Sequence, residues 1–230
     1  MRLEPQYFQT SIGRKLITAV SGIIFVGFVF GHMVGNLQIF LGPEKLNAYA
    51  KFLKDLGGLL WVARGVLFVA FFAHVITTIQ LKIQNAKARP DSYAHEKTVQ
   101  ASIASRYMML AGSVIFAFII YHLLHFTLGI TNPEYLELRD SAGRHDVYNM
   151  VVDGFKVPAV AIAYIFANAL LGLHLSHGVA SVFQTLGLAS PKHHKGIKLF
   201  GIFYGLLIFL GNASIPIAIV TGFINNQTLN

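Results

Sequence analysis

The chain has no cysteine among its 230 residues. It can therefore neither form a disulfide nor hold a thiolate-ligated iron–sulfur cluster, and any redox chemistry must use another cofactor or come from a partner. Charge is scarce as well. Only 12% of the residues are Asp, Glu, Lys or Arg, where a soluble domain carries about 25%. Five long apolar runs contain no acid at all. Apolar residues make up 54% of the chain and the mean hydropathy is +0.58. These totals exclude an ordinary soluble domain and predict a polytopic membrane protein. With no soluble domain and no low-complexity linker to separate, residues 1–230 read as one unit.

What is present is organised around the spans. Lys15–Phe40, Leu59–Ile83, Arg106–Ile130, Val157–Leu188 and Ile197–Ile224 are each long enough to cross about 30 Å of hydrocarbon as a helix. The predicted fold class is all-α, with five transmembrane helices. Met1–Thr10 contains Glu4 and Pro5 and lacks the basic start and cleavage site of a signal peptide, so the first run is expected to be a retained helix. Arg64 sits near the start of the second span and can snorkel to the interface.

The bases set an orientation. With the N-terminus inside, the inner segments hold Arg2, Arg14, Lys15, Lys82, Lys87, Arg89, Lys97, Arg106, Lys192, Lys195 and Lys198 against Glu4, Asp91 and Glu96. The outer segments balance, with Lys45, Lys51 and Lys54 counting against the bias. The formal charge of +8 thus lies inside and the C-terminus outside. A basic inner face suits anionic lipid and an acidic partner protein, although setting topology alone accounts for it. Nothing points to nucleic acid.

Between spans, Leu46, Tyr49, Leu53 and Leu56 recur at helical spacing within Gly42–Gly58, behind Pro43 and ahead of Gly57-Gly58. That predicts a short amphipathic helix on the membrane surface. Thr131–Lys156 reads as a polar, acidic outer loop and Gln84–Ser105 as a polar, basic inner one.

The ten histidines divide. His95, His145, His193 and His194 lie in loops and read as solvated. His32, His74, His122, His125, His174 and His177 lie in spans. One membrane histidine can simply bond across helices. Four of five spans each carrying one is a functional hypothesis. At 1.5 Å per residue, His32 lies about 26 Å from Lys15 and His122 about 24 Å from Arg106, both toward the outside. His74 lies about 20 Å from Trp61 and His174 about 24 Å from Pro158, both closer to the inside. Two pairs at two levels follow: His32 with His122, and His74 with His174. Inward-facing histidines on facing helices are how bundles hold a metal cofactor, and haem iron takes such axial ligands. A zinc site would instead want about four ligands at one height, usually with carboxylate or thiolate.

Spacing leaves two choices open. His122 and His125 are i,i+3 and share a face, as do His174 and His177. Measured from the inner end near Gly187, His177 (about 15 Å) fits His74 (about 12 Å from Lys82) slightly better than His174 (about 20 Å) does. An unused histidine could bond a haem propionate, face a quinone or pack. Gly27, Gly31 and Gly35 repeat at i+4, which suits either a helix contact or a porphyrin beside His32. Gly22 precedes His32 by ten residues and Gly112 precedes His122 by ten; this echo favours His122 over His125.

These residues resemble a known family. Ser11-Ile12-Gly13-Arg14-Lys15, Ser21-Gly22 and His32-Met33-Val34-Gly35-Asn36-Leu37 resemble the start of the two-haem cytochrome b subunit of succinate dehydrogenase and fumarate reductase. His174-Leu175-Ser176-His177-Gly178 resembles that family's His-x-x-x-Gly, which favours His174 as the ligand. The resemblance covers all five spans in order. It implies a four-helix haem-binding bundle with one flanking helix, two b haems with His74 and His174 proximal and His32 and His122 distal, and a quinone, menaquinone rather than ubiquinone. It implies flavoprotein and iron–sulfur partner subunits on the cytoplasmic side of a bacterial inner membrane, the chain being a subunit of the enzyme rather than catalytic alone. Asn36, Gln38, Glu44 and Lys45, just past His32, are candidates for the quinone. Arg14, Lys15 and Arg106 are candidates for the proximal haem propionates. Where some relatives carry a glutamate two residues before the fourth-span ligand, this chain has Gly172, which puts a carboxylate proton route in doubt. The competing readings are a cytochrome b anchor of another dehydrogenase or a hydrogenase, and a non-redox transporter or assembly protein with its histidines as interhelical glue.

Overall fold

The computed structural model describes residues 10–88 and 106–227. Arg2, Glu4, Arg89, Asp91, His95, Glu96 and Lys97, and most of the inner loop read at Gln84–Ser105, lie outside the described residues. The described chain is all-helical and contains no strand; the one β contact is an isolated bridge between Arg139 and His145. Its helices are α1 Ser11–Asn36, α2 Pro43–Asp55, α3 Gly58–Lys87, α4 Met108–His122, α5 Val147–Phe155, α6 Pro158–Thr185 and α7 His194–Val220.

Five stretches are long and apolar enough to cross a membrane: Ser11–Leu41, Gly58–Lys87, Met108–Thr127, Pro158–Thr185 and His194–Val220. They match the five expected spans to within a few residues. Their outer surfaces carry large apolar side chains such as Phe68, Val69, Ile162, Phe166, Phe203 and Leu210, all mostly exposed. In water such a surface would aggregate; against lipid it is the ordinary exterior.

The packing follows from small residues. α3 packs on α1 and α4 on α6; α1 and α6 join the two pairs, and α7 backs the seam against both. The α6–α7 contact is the closest. Gly172 and Ser176 on α6 face Gly201 and Gly205 on α7, each set at i,i+4, so the two backbones touch. A Cβ on Gly172 would lie 2.8 Å from the Gly205 carbonyl oxygen, and one on Gly205 would strike the Gly172 carbonyl in return. The space beside Gly172 is thus filled by the neighbouring backbone. α7 also reaches α1, where Tyr204 Oη donates to the Val26 carbonyl at 2.5 Å. Met33, Leu175, Val179, Tyr204 and Ile208 close that core.

The end of the bundle that the basic bias predicts to lie outside, termed the outer end, is capped rather than open. Gly42, at φ +94°, turns the chain from a 3-10 turn at Leu37–Leu41 into Pro43 at the first turn of α2. Leu46 is buried with Ile39, Tyr148, Val152 and Ile219, and Tyr49 packs on Gly35 of α1. The apolar stripe of α2 therefore faces the bundle end, not only the membrane surface. The acidic segment Thr131–Lys156, read as a polar loop, contains α5. Asp146 caps α5 by accepting from Asn149 N at 3.1 Å, and Tyr148, Val152 and Phe155 bury one of its faces.

One network ties this cap together. Asn47 is fully buried; its Nδ2 donates to Asp146 at 3.0 Å and Asp140 at 3.3 Å, and its Oδ1 accepts from Tyr148 N at 3.0 Å. Asp140 also accepts from the backbone N–H groups of Ala142 and Arg144 and from Arg144 Nε at 2.7 Å. Arg144 then pairs with both carboxylate oxygens of Glu44, at 2.9 and 2.5 Å. Burial pushes Asp140 up, but the hydrogen bonds from Arg144 outweigh it and hold the carboxyl below its usual range. The hydrogen bond from Arg144 holds Glu44 down likewise.

Candidate functional site

The six span histidines occupy three settings. His32 of α1 and His122 of α4 face one another with ring centres 5.8 Å apart and planes at 88°. Two imidazoles that hold one first-row metal ion from opposite sides, each about 2.0 Å from it, place their ring centres about 6 Å apart. Gly27 and Gly31, on the turns preceding His32, face open space: a Cβ on either would meet no atom within 4 Å. Gly35 does not share this role, because Tyr49 fills its surface. The i+4 glycine repeat is therefore neither a continuous helix contact nor wholly open.

His74 of α3 and His174 of α6 form the second setting and lie close enough to interact electrostatically. Each ring rests by a glycine of the neighbouring helix. A Cβ on Gly22 would come within 3.8 Å of His74 Cε1, and one on Gly112 within 3.5 Å of His174 Cε1. Gly22 precedes His32 on α1, and Gly112 precedes His122 on α4, by ten residues each. Ten residues of helix is about 15 Å, so this pair lies about one and a half nanometres from the first along the bundle. The echo between the first and third spans has a spatial meaning: each helix carries a histidine at one level and a glycine that admits a histidine at the other.

The second nitrogens are treated differently. Ser21 Oγ lies 3.1 Å from His74 Nδ1, and Ser21 itself is tied to the Ile17 and Thr18 carbonyls. His174 Nδ1 is buried and makes no hydrogen bond of ordinary geometry; the Met108 backbone lies close to the ring. A buried nitrogen without a partner is costly, and an imidazole between two helices in that condition fits a metal ligand.

His125 and His177 are set apart. After His122 the helix widens into a π turn, Leu123–Thr127, closed by Leu128 N to Leu123 O at 2.8 Å. Widening shifts the residues beyond His122, yet His122 and His125 both still turn toward Tyr164 of α6. His125 is 2% exposed, stacked on Tyr121 and edged by Phe126, Tyr135 and Tyr164. His177 is half-buried and lies near Lys198 of α7.

The remaining candidates spread over both ends. At the inner end Arg14 Nη1 donates to Gln84 at 3.3 Å, while its Nε is buried without a partner; Lys15 and Arg106 are exposed. At the outer end Asn36 and Gln38 are half-buried, Lys45 is exposed and Glu44 is committed to Arg144. Among the described residues, no three His, Asp or Glu side chains converge on one point. The convergence is of pairs. A cavity of about 550 Å³ between α1 and α3, lined by Leu16, Val20, Ser21, Gly65 and Val69, contains none of the histidines.

Sequence reading missed Tyr164, whose hydroxyl reaches His125 Nδ1 at 3.1 Å and His122 Nδ1 at 3.4 Å. A tyrosine ten residues before His174 on the same helix lies at the outer level, and a buried hydroxyl needs a partner; that was the available signal. Ser21 appeared only in the family motif, not as the partner of His74.

Fold and site together define a multi-pass helical membrane protein that brings His32 against His122 at one level and His74 near His174 at another. Comparison with known protein families, curated proteins and solved structures finds no match to this chain.

Proposed function

We propose that the chain is the two-haem cytochrome b anchor of a succinate:quinone oxidoreductase. What supports this most is the convergence of His32 on His122 and of His74 toward His174 beside Gly22 and Gly112. Haem b bound at each level would supply one-electron redox chemistry within the membrane. The chain's own residues do the rest. His32 and His122 would hold the haem at the outer level, His74 and His174 that at the inner. Ser21 Oγ accepts a hydrogen bond from Nδ1–H of His74, which would leave its Nε2 free to ligate. Gly22 and Gly112 make room for the His74 and His174 rings, and Gly27 and Gly31 leave open space beside His32 for a macrocycle. Arg14 offers its unpartnered Nε, with Lys15 and Arg106, to carboxylates at the inner end.

The N-terminus faces the cytoplasm and the C-terminus the outside of the inner membrane, from the basic bias of the inner segments. With no cysteine in the chain, flavin and iron–sulfur clusters belong to partner subunits docked on that basic face. Quinone, menaquinone rather than ubiquinone by family resemblance, binds toward the outer end near Asn36, Gln38 and Lys45. Glu44, neutralised by Arg144, is the weakest of these proton donors.

Alanine substitution tests the ligand set. His32→Ala and His122→Ala each remove one and the same haem, and His74→Ala and His174→Ala each remove the other, in reduced-minus-oxidised spectra of the purified chain. His125→Ala and His177→Ala retain both. If His122→Ala kept two haems and His125→Ala lost one, the ligand assignment would be wrong.

A further inference from the structure

The two levels are held by different means, and the outer one has a device of its own. Tyr164 of α6 stands between two imidazoles, 3.4 Å from His122 Nδ1 and 3.1 Å from His125 Nδ1. Its ring is locked edge-on by Phe118 and Phe155, each with centres 4.9 Å away. His125 is enclosed in turn, with the backbone of Gly154 close enough that a Cβ there would sit 3.2 Å from His125 Cε1. Neither Tyr164 nor His125 has room to turn away.

A hydroxyl has one proton. Tyr164 can donate to only one of these nitrogens and must accept from the other. With His122 Nδ1 turned to Tyr164, its Nε2 is the free nitrogen on a ring that faces His32. An imidazole that ligates through Nε2 carries its proton on Nδ1. The chain therefore has one direction: His122 Nδ1–H donates to Tyr164 Oη, and Tyr164 O–H donates to His125 Nδ1. His125 is then protonated on Nε2.

We infer that Tyr164 and His125 are positioning residues for His122, fixing its tautomer and ring angle through an ordered hydrogen-bond chain that ends on a second imidazole, where that of His74 runs through Ser21 to backbone carbonyls. This rests on the reading of His32 and His122 as one ligand pair. It gives His125, three residues from the ligand and buried, a reason to be histidine.

Tyr164→Phe is the direct test, because it removes the hydroxyl and keeps the ring. Two measurements on the purified full-length chain in bilayers are needed. The first is the ¹⁵N spectrum of its labelled histidines, read for tautomers. The second is a redox titration with low-temperature electron paramagnetic resonance, whose low-spin ferric signals report the angle between axial imidazole planes. In the wild type His125 is protonated on Nε2, and in Tyr164→Phe that preference is lost. The same substitution removes an acceptor from His122 Nδ1–H, making His122 a less basic ligand. One midpoint potential rises, the anisotropy of that haem alone changes, and the other haem is unmoved. His125→Leu repeats this shift, and His125→Asn, with an amide near the place of Nδ1, reverses most of it. Unchanged potentials and signals in Tyr164→Phe, equal movement of both haems, or His125 protonated on Nδ1 in the wild type would overturn the inference. A wild-type chain without haem would overturn the ligand reading instead, and the His125 tautomer would still decide whether the hydrogen-bond chain exists.

Discussion

Asp140 shows how much one side chain can organise. Its buried carboxylate accepts from two backbone N–H groups, Arg144 and Asn47, which hold its pKa below the usual carboxylate range against the opposing effect of burial. A depressed folded-state pKa contributes stability that is complete above the unfolded value and is lost as pH falls through the folded one. Thermal unfolding in detergent should therefore weaken from about pH 4 downward, the ordinary range for Asp, and Asp140→Asn should flatten that dependence while lowering stability at pH 7. Equal acid sensitivity in the variant would remove Asp140 from the account. At this same scale, sequence alone reached the depths of the histidines, because axial rise is nearly constant in a helix. It could not separate His122 from His125, because both reach Tyr164 and the π turn at Leu123–Thr127 departs from the regular period.

At the scale of elements, two contacts carry most of the risk. The α6–α7 seam depends on backbones that touch at Gly172 and Gly205. Gly172→Ala should cost about 1–3 kcal/mol through overpacking, read as a lowered unfolding temperature; an unchanged one would mean the helices separate freely there. The outer cap depends on Asn47. Removing its side chain in Asn47→Ala leaves the buried Tyr148 N–H without its partner and takes one hydrogen bond each from Asp140 and Asp146, at about 1–3 kcal/mol for such a loss. The segment between Arg139 and Arg144 should then become open to trypsin in bilayer discs, whereas the wild type resists; equal resistance would show that the cap holds without Asn47. The spans were legible because length and hydropathy decide them. α5 was not, although Asp146 and the stripe Tyr148, Val152, Phe155 are a cap and a helical face. Acidic composition masked a pattern that acquires meaning only when α2 and α7 cover it.

For the whole molecule, one arrangement joins these parts: two helix pairs, α1–α3 and α4–α6, backed by α7, with histidines meeting between the pairs at two depths. Hydropathy and histidine depth made that outline readable from sequence. Which helices touch was not readable, since it depends on small residues whose partners lie on other helices, from Gly172 on Gly205 to Met33 on Gly211. The cap that seals the outer end was equally hidden, because Asn47 and Asp146 are far apart in the chain and meet only in the fold. The central claim is that both histidine pairs hold haem. The most direct measurement is the haem-to-protein ratio of the purified chain expressed with ample haem, with reduced-minus-oxidised spectra. Two low-spin b-type haems per chain is the predicted result. A chain that folds and carries no haem would contradict it and return these histidines to interhelical contacts.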